Sequence, residues 1–204
     1  MSSTDKPPLK LVQTGTPSRS ETIPGANLLG TIVLIGSLGM LFVASMVGYF
    51  YVRARAVQWP PSGMPGMPAS LWVSTALLIA CSWTIHRAVL AARHDRRDSV
   101  LLHTRLTLGL GLAFLAAQCW NWWELVGASL TPQVNLYGFT FYMLTGLHAG
   151  HVIGGLIPLA IVTRKAQAGA YTSFESTGLR QCALYWHFLD AVWIVVFLVL
   201  LLGS

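Results

Sequence analysis

Residues 180–203 read RQCALYWHFLDAVWIVVFLVLLLG, and after Arg180 its only acidic or basic side chains are His187 and Asp190. At about 1.5 Å per residue this run reaches roughly 36 Å, enough to cross about 30 Å of hydrocarbon as a helix. Four more runs of the same kind precede it, at roughly 28–52, 69–91, 101–126 and 136–163. A transmembrane β-barrel shows alternating segments of about ten residues, whereas these runs are continuously apolar, so helices must satisfy the backbone. The expected fold is all-α, a polytopic five-transmembrane-helix bundle. The 204 residues are 54% hydrophobic and 10% charged, with a mean hydropathy of +0.59. Such a chain cannot be coated with water-compatible surface, and five spans leave no room for a large extramembrane domain.

The first stretch, residues 1–26, is polar and rich in Ser, Thr and Pro, and lacks the apolar segment of a secretory signal. It is read as a disordered cytoplasmic tail before a transmembrane domain at 27–204. Lys6, Lys10, Arg19, Arg87, Arg93, Arg96, Arg97, Arg105, Arg164, Lys165 and Arg180 fall on the tail's side of the membrane, against Arg53 and Arg55 opposite. Eleven against two orients the chain N-in/C-out by the positive-inside rule, and a tail that carries Asp5 and Glu21 without an Arg-rich transit pattern points to a bacterial cytoplasmic membrane. The basic balance is therefore assigned to orientation, with no nucleic-acid partner. Trp59, Trp72, Trp120, Trp122 and Trp123 cluster near the outer boundary, where an indole favours the headgroup interface. A Pro-rich loop over 58–68 joins the first two spans on that side. Cys81, Cys119 and Cys182 have no paired spacing and read as small hydrophobes.

Ionisable residues at bilayer depth carry most of the functional information, because each needs a protein partner. They are His148, His151, His187 and Asp190, with Glu124 shallower and Gln118 and Asn121 as uncharged companions. His148 and His151 are three apart on the fourth span, and His187 and Asp190 repeat that spacing on the fifth. Counting from the cytoplasmic ends puts His151 at about 18 Å and Asp190 at about 15 Å. The expectation is that Asp190 meets His151 or joins the same intramembrane polar network. A metal or haem held by His148, His151 and His187 is the sharper alternative, and a proton path a third. No pair of broken helices or inverted repeat points to a transporter. Gly138, Gly146, Gly150, Gly154 and Gly155 on span four, and Gly36, Gly39, Ala44 and Gly48 on span one, would let neighbouring backbones approach or would dock a partner.

Three segments carry a resemblance. Thr145-Gly146-Leu147-His148-Ala149-Gly150-His151 resembles the Thr-Gly-x-His-x-x-His signature of haem–copper oxidase subunit III. Tyr185-Trp186-His187-Phe188-Leu189-Asp190-Ala191-Val192-Trp193 resembles that family's last-helix signature, and Arg105 through Gln118 is similar to the third helix of its short five-helix bacterial form. The resemblance covers about 28–203. It implies a non-catalytic subunit III of a proton-pumping terminal oxidase, supporting assembly, stability and proton uptake. It also implies no cofactor on this chain, haem and copper in catalytic subunit I, bound phospholipid, and further oxidase subunits as partners. A subunit III of a quinol oxidase, or a related accessory protein of a nitric oxide reductase, would share the plan. Leu38 and Asn121 stand where that family commonly has glutamate, with Glu124 displaced by about one turn.

Overall fold

The computed structural model describes residues 26–61, 69–172 and 176–203. The expected tail lies outside the described residues except at Ala26, as does most of the Pro-rich loop. Five helices follow: α1 Ala26–Arg55, α2 Ser70–Arg93, α3 Arg97–Gly127, α4 Leu136–Gln167 and α5 Thr177–Gly203. All five are long and apolar enough to cross a membrane. They outrun the apolar segments by up to four residues, because Arg53, Arg55, Arg93, Arg164 and Lys165 sit in last turns and cations favour a helix C-terminus.

Helices α2, α3, α4 and α5 form a closed ring in which each packs on two neighbours, and α1 lies outside it against α4 and α5. The buried residues of α3 show why it can line such a ring. Val100, Thr104, Thr107, Gly111, Phe114, Gln118, Asn121 and Leu125 are all buried. They step by four and three residues in strict alternation, the 3.5-residue repeat of a helix held against left-handed neighbours. Gly111 admits the Trp186 indole from across the ring: a Cβ there would stand 3.0 Å from the ring edge. The core is therefore aromatic at its centre, with Phe114, Trp186 and Trp193 all at 1% exposure or less.

Among its described side chains α1 buries only Phe42 and Tyr49, two turns apart, while Leu29, Val33, Met40, Val43 and Val47 are exposed. Among the glycines of its expected small-residue stripe, Gly39 meets Phe188, and Gly36 and Gly48 face open space. At the far end Tyr49, Trp59 and Tyr137 stack edge to face at 5.6 and 5.2 Å. Arg53 donates to the Leu202 carbonyl at 3.2 Å, which answers an orphan acceptor at the end of α5. The ends of α1 and α5 thus share one side, as five spans require. Trp72, Trp120 and Trp123 are exposed as an interfacial belt would be, but Trp59 and Trp122 turn partly inward. The cysteines are unpaired, Cys81 and Cys182 buried and Cys119 exposed.

Candidate functional site

His148 is fully buried, and rings from three other helices enclose it. Phe42 of α1 lies 6.2 Å away, Phe114 of α3 5.7 Å and Trp193 of α5 4.8 Å between centroids. Neither imidazole nitrogen has a hydrogen-bond partner. His151, one turn on, stacks on Phe42 at 5.2 Å. Its Nδ1 lies 2.7 Å from the Leu147 carbonyl; since a carbonyl can only accept, Nδ1 carries the proton and donates back along its own helix. These two histidines are held by aromatic packing and by α4 itself.

The polar residues of α5 face elsewhere. His187 Nδ1 and the Ser82 hydroxyl of α2 are 2.6 Å apart, and the His86 ring of α2 lies 6.1 Å from the His187 ring. Asp190 is buried on the side of Ser82 of α2, with neither carboxyl oxygen in a hydrogen bond of ordinary geometry. Trp193 donates from Nε1 to Thr75, also on α2, at 3.1 Å. The structure therefore brings His187 and Asp190 together with α2, and makes no hydrogen bond from Asp190 to His148 or His151. The azimuth of α5 accounts for this. Tyr185 and Leu189 are the α5 residues that meet α4 at Gly155. At about 100° per residue, His187 points some 200° away from Tyr185.

The α4–α5 seam is instead built by backbone approach. A Cβ on Gly155 would stand 2.6 Å from the Tyr185 ring, and the Tyr185 hydroxyl donates to the His151 carbonyl at 2.9 Å. Pro158 removes one amide from the interior of α4 and leaves the Gly154 carbonyl without its usual intrahelical donor. Thr145 donates to the Phe141 carbonyl at 2.9 Å and receives the Trp122 indole N–H at 3.2 Å, with Gly146 4.0 Å from that indole across a would-be Cβ.

The α2–α3 seam holds the rest. Asn121 donates to Ser74 at 3.1 Å, Ser70 to Glu124 at 3.2 Å, and Thr84 pairs with Thr107 at 2.9 Å. Gln118 is buried with its amide unpartnered, and Arg105 is exposed. The α2 hydroxyls Ser74, Thr75 and Ser82 are the partners that the sequence reading missed. Their signal was a set of hydroxyls recurring through an apolar run, which is weak because Ser and Thr can satisfy themselves on their own helix.

Among the described residues no three His, Cys, Asp or Glu side chains converge as metal ligands would. A groove of about 470 Å³ opens between α1, α4 and α5, with Leu34, Leu38, Pro158 and Ile161 along its length and Lys165 and Gln181 on its wall. Tyr171, in the α4–α5 loop, also lines it, and burial pushes that phenol up to about 12, so it stays a hydrogen-bond donor at neutral pH.

A family model described as cytochrome c oxidase subunit III matches residues 18–204. A cytochrome c oxidase subunit 3 from Synechocystis is 31% identical over 181 residues, covering 88% of this chain and 76% of the relative. Its counterpart from Thermostichus vulcanus is 31% identical, covering 87% of each chain. A probable cytochrome c oxidase subunit 3 from Mycobacterium leprae is 32% identical over 190 residues, 92% of this chain and 94% of the relative.

Proposed function

Since the chain belongs to the cytochrome c oxidase subunit III family, and is thereby part of an oxidase complex in a membrane it crosses several times, we propose that it is the non-catalytic subunit III of a proton-pumping haem–copper oxidase. In this reading it supports the assembly, stability and proton uptake of catalytic subunit I, which carries the haem and copper, and touches other oxidase subunits and lipid. The carrying observation is the divergence of the histidines: His148 is walled in by rings, while His187 is engaged with Ser82 on α2. Ligation of one ion by His148, His151 and His187 would need those rings removed and α5 rotated.

The chain sits in a bacterial cytoplasmic membrane with its N-terminal tail inside, a reading supported by eleven cationic residues on that side against two. The α1/α4/α5 groove suits a phospholipid, with acyl carbons along Leu34, Leu38 and Ile161 and an anionic headgroup at Lys165. His148, His151, His187 and Asp190 serve as interior packing and interhelical polar contacts rather than as ligands, and the signature residues Thr145, Gly146, Tyr185, Trp186 and Trp193 set helix spacing.

Affinity purification of the native complex through a C-terminal tag tests the proposal. The expected result is co-purification of a haem- and copper-bearing catalytic subunit, with this chain metal-free once separated. Stoichiometric iron or copper on the separated chain would overturn it.

A further inference from the structure

The turn between α2 and α3 borders a second pocket, of about 230 Å³, whose polar lining is Arg87 from α2, His94 and Arg96 from the turn, and Ser99 and His103 from α3. Two arginines and two histidines converge there, and the nearby acidic residues, Asp95 in the turn and Asp98 in the first turn of α3, do not line it. Arg96, at the N-cap of the 31-residue α3, provides no side-chain cap, so the positive end of that helix adds to the field. His103 Nδ1 donates to the Ser99 carbonyl at 2.6 Å, which fixes the imidazole in the pocket wall.

The pocket lies at the end of two membrane-crossing helices, and its surroundings continue it into the apolar zone. Arg87 lies over the Trp83 ring at 5.6 Å, and that indole, one turn deeper on α2, is 61% exposed. Leu106, one turn deeper than His103 on α3, is 46% exposed. A cationic head region above an exposed indole and leucine is the pairing that an amphiphilic anion requires. We propose that this pocket binds an anionic phosphate group, presented by a phospholipid whose acyl chains lie along Trp83 and Leu106. It is separate from the α1/α4/α5 groove and depends only on the chain's crossing the membrane, so it stands or falls independently of the oxidase reading.

The test is native mass spectrometry of the chain as purified with its complex. Phosphatidylglycerol and phosphatidylcholine of identical acyl composition are titrated in detergent, with inorganic phosphate as competitor. Wild type should retain one more phosphatidylglycerol than Arg87→Gln/Arg96→Gln. The affinity of that lipid should fall about 25-fold in the variant, the factor expected of two interfacial cations at about 1 kcal/mol each. Arg87→Lys/Arg96→Lys should restore most of the binding, which separates a lost site from a misfolded chain, and Arg180→Gln, removing a charge elsewhere, should leave it unchanged. Equal retention of phosphatidylcholine, or an unaltered glutamine variant, would overturn the site. Displacement of the lipid by millimolar inorganic phosphate would overturn the lipid as source.

Discussion

His148 has neither a hydrogen-bond partner nor exposed surface, so its contribution is the space it fills among Phe42, Phe114 and Trp193. A polar ring without partners loses no hydrogen bond when replaced by an apolar one. His148→Phe should therefore change thermal stability by less than about 1.5 kcal/mol, while His148→Ala, which opens a cavity, should cost about 3 kcal/mol. Melting of the purified complex distinguishes these, and unchanged haem and copper spectra in His148→Phe would accompany the packing role. Asp190 belongs to the same scale. Sequence spacing tied it to the histidines of α4, but it lies on the side of Ser82 of α2, so its replacement acts on the α2–α5 seam. Because its oxygens close no regular hydrogen bond, Asp190→Asn should alter stability by less than about 1 kcal/mol. Ser82→Ala, which strips His187 of its 2.6 Å partner, should cost about 1–3 kcal/mol. A larger loss for the asparagine than for the alanine would reverse that ranking.

At the scale of the helices, contact is decided by which face carries no side chain. Gly155 receives the Tyr185 ring at a distance no Cβ could tolerate, while Gly150, on the same helix, faces open space. Gly155→Ala should force α4 and α5 apart and cost about 1–3 kcal/mol; Gly150→Ala should fall within about 0.5 kcal/mol of wild type. The pair is compared by thermal unfolding in one detergent. These two glycines also mark where the sequence stopped being informative. Number, length and depth of the helices follow from apolar runs and the rise per residue, and five helices stand where five runs were read. Rotation about each axis does not follow, since a span surrounded by lipid and protein is apolar on every side and offers no polar face to orient it. That is why depth alone pairs the α5 stripe of His187 and Asp190 with α4, when its azimuth directs it to α2. It is also why sequence does not separate Gly36 and Gly48 from glycines that do make contacts. The signature residues Thr145, Tyr185 and Trp193 were legible as a pattern, but their roles needed partners such as Trp122, the His151 carbonyl and Thr75, which come from other spans or from backbone.

For the whole molecule the distribution of charge and the packing of α1 act together. α1 lies outside the four-helix ring, where the helices it packs on are α4 and α5, and its outward leucines and valines are exposed, so its insertion rests on lipid and on its flanks more than on the bundle. Its C-terminal flank is held to α5 by Arg53 at the Leu202 carbonyl. That contact accounts for a cation on the side that otherwise carries few: the guanidinium answers a helix end, and the positive-inside bias is read from the other flanks. With Cys81 and Cys182 buried, single-cysteine reporters can be placed in a Cys119→Ser background. Ser3→Cys in the tail should resist a membrane-impermeant maleimide added to intact cells and react after lysis, while Ser204→Cys at the opposite end should react at once. Arg53→Gln should leave that labelling pattern intact, because eleven cations still oppose one, yet lower thermal stability by about 1 kcal/mol through loss of the α5 end contact. Labelling of Ser3→Cys in intact cells would reverse the orientation. An inverted pattern confined to Arg53→Gln would show that this one arginine, rather than the summed flanks, sets the direction of insertion.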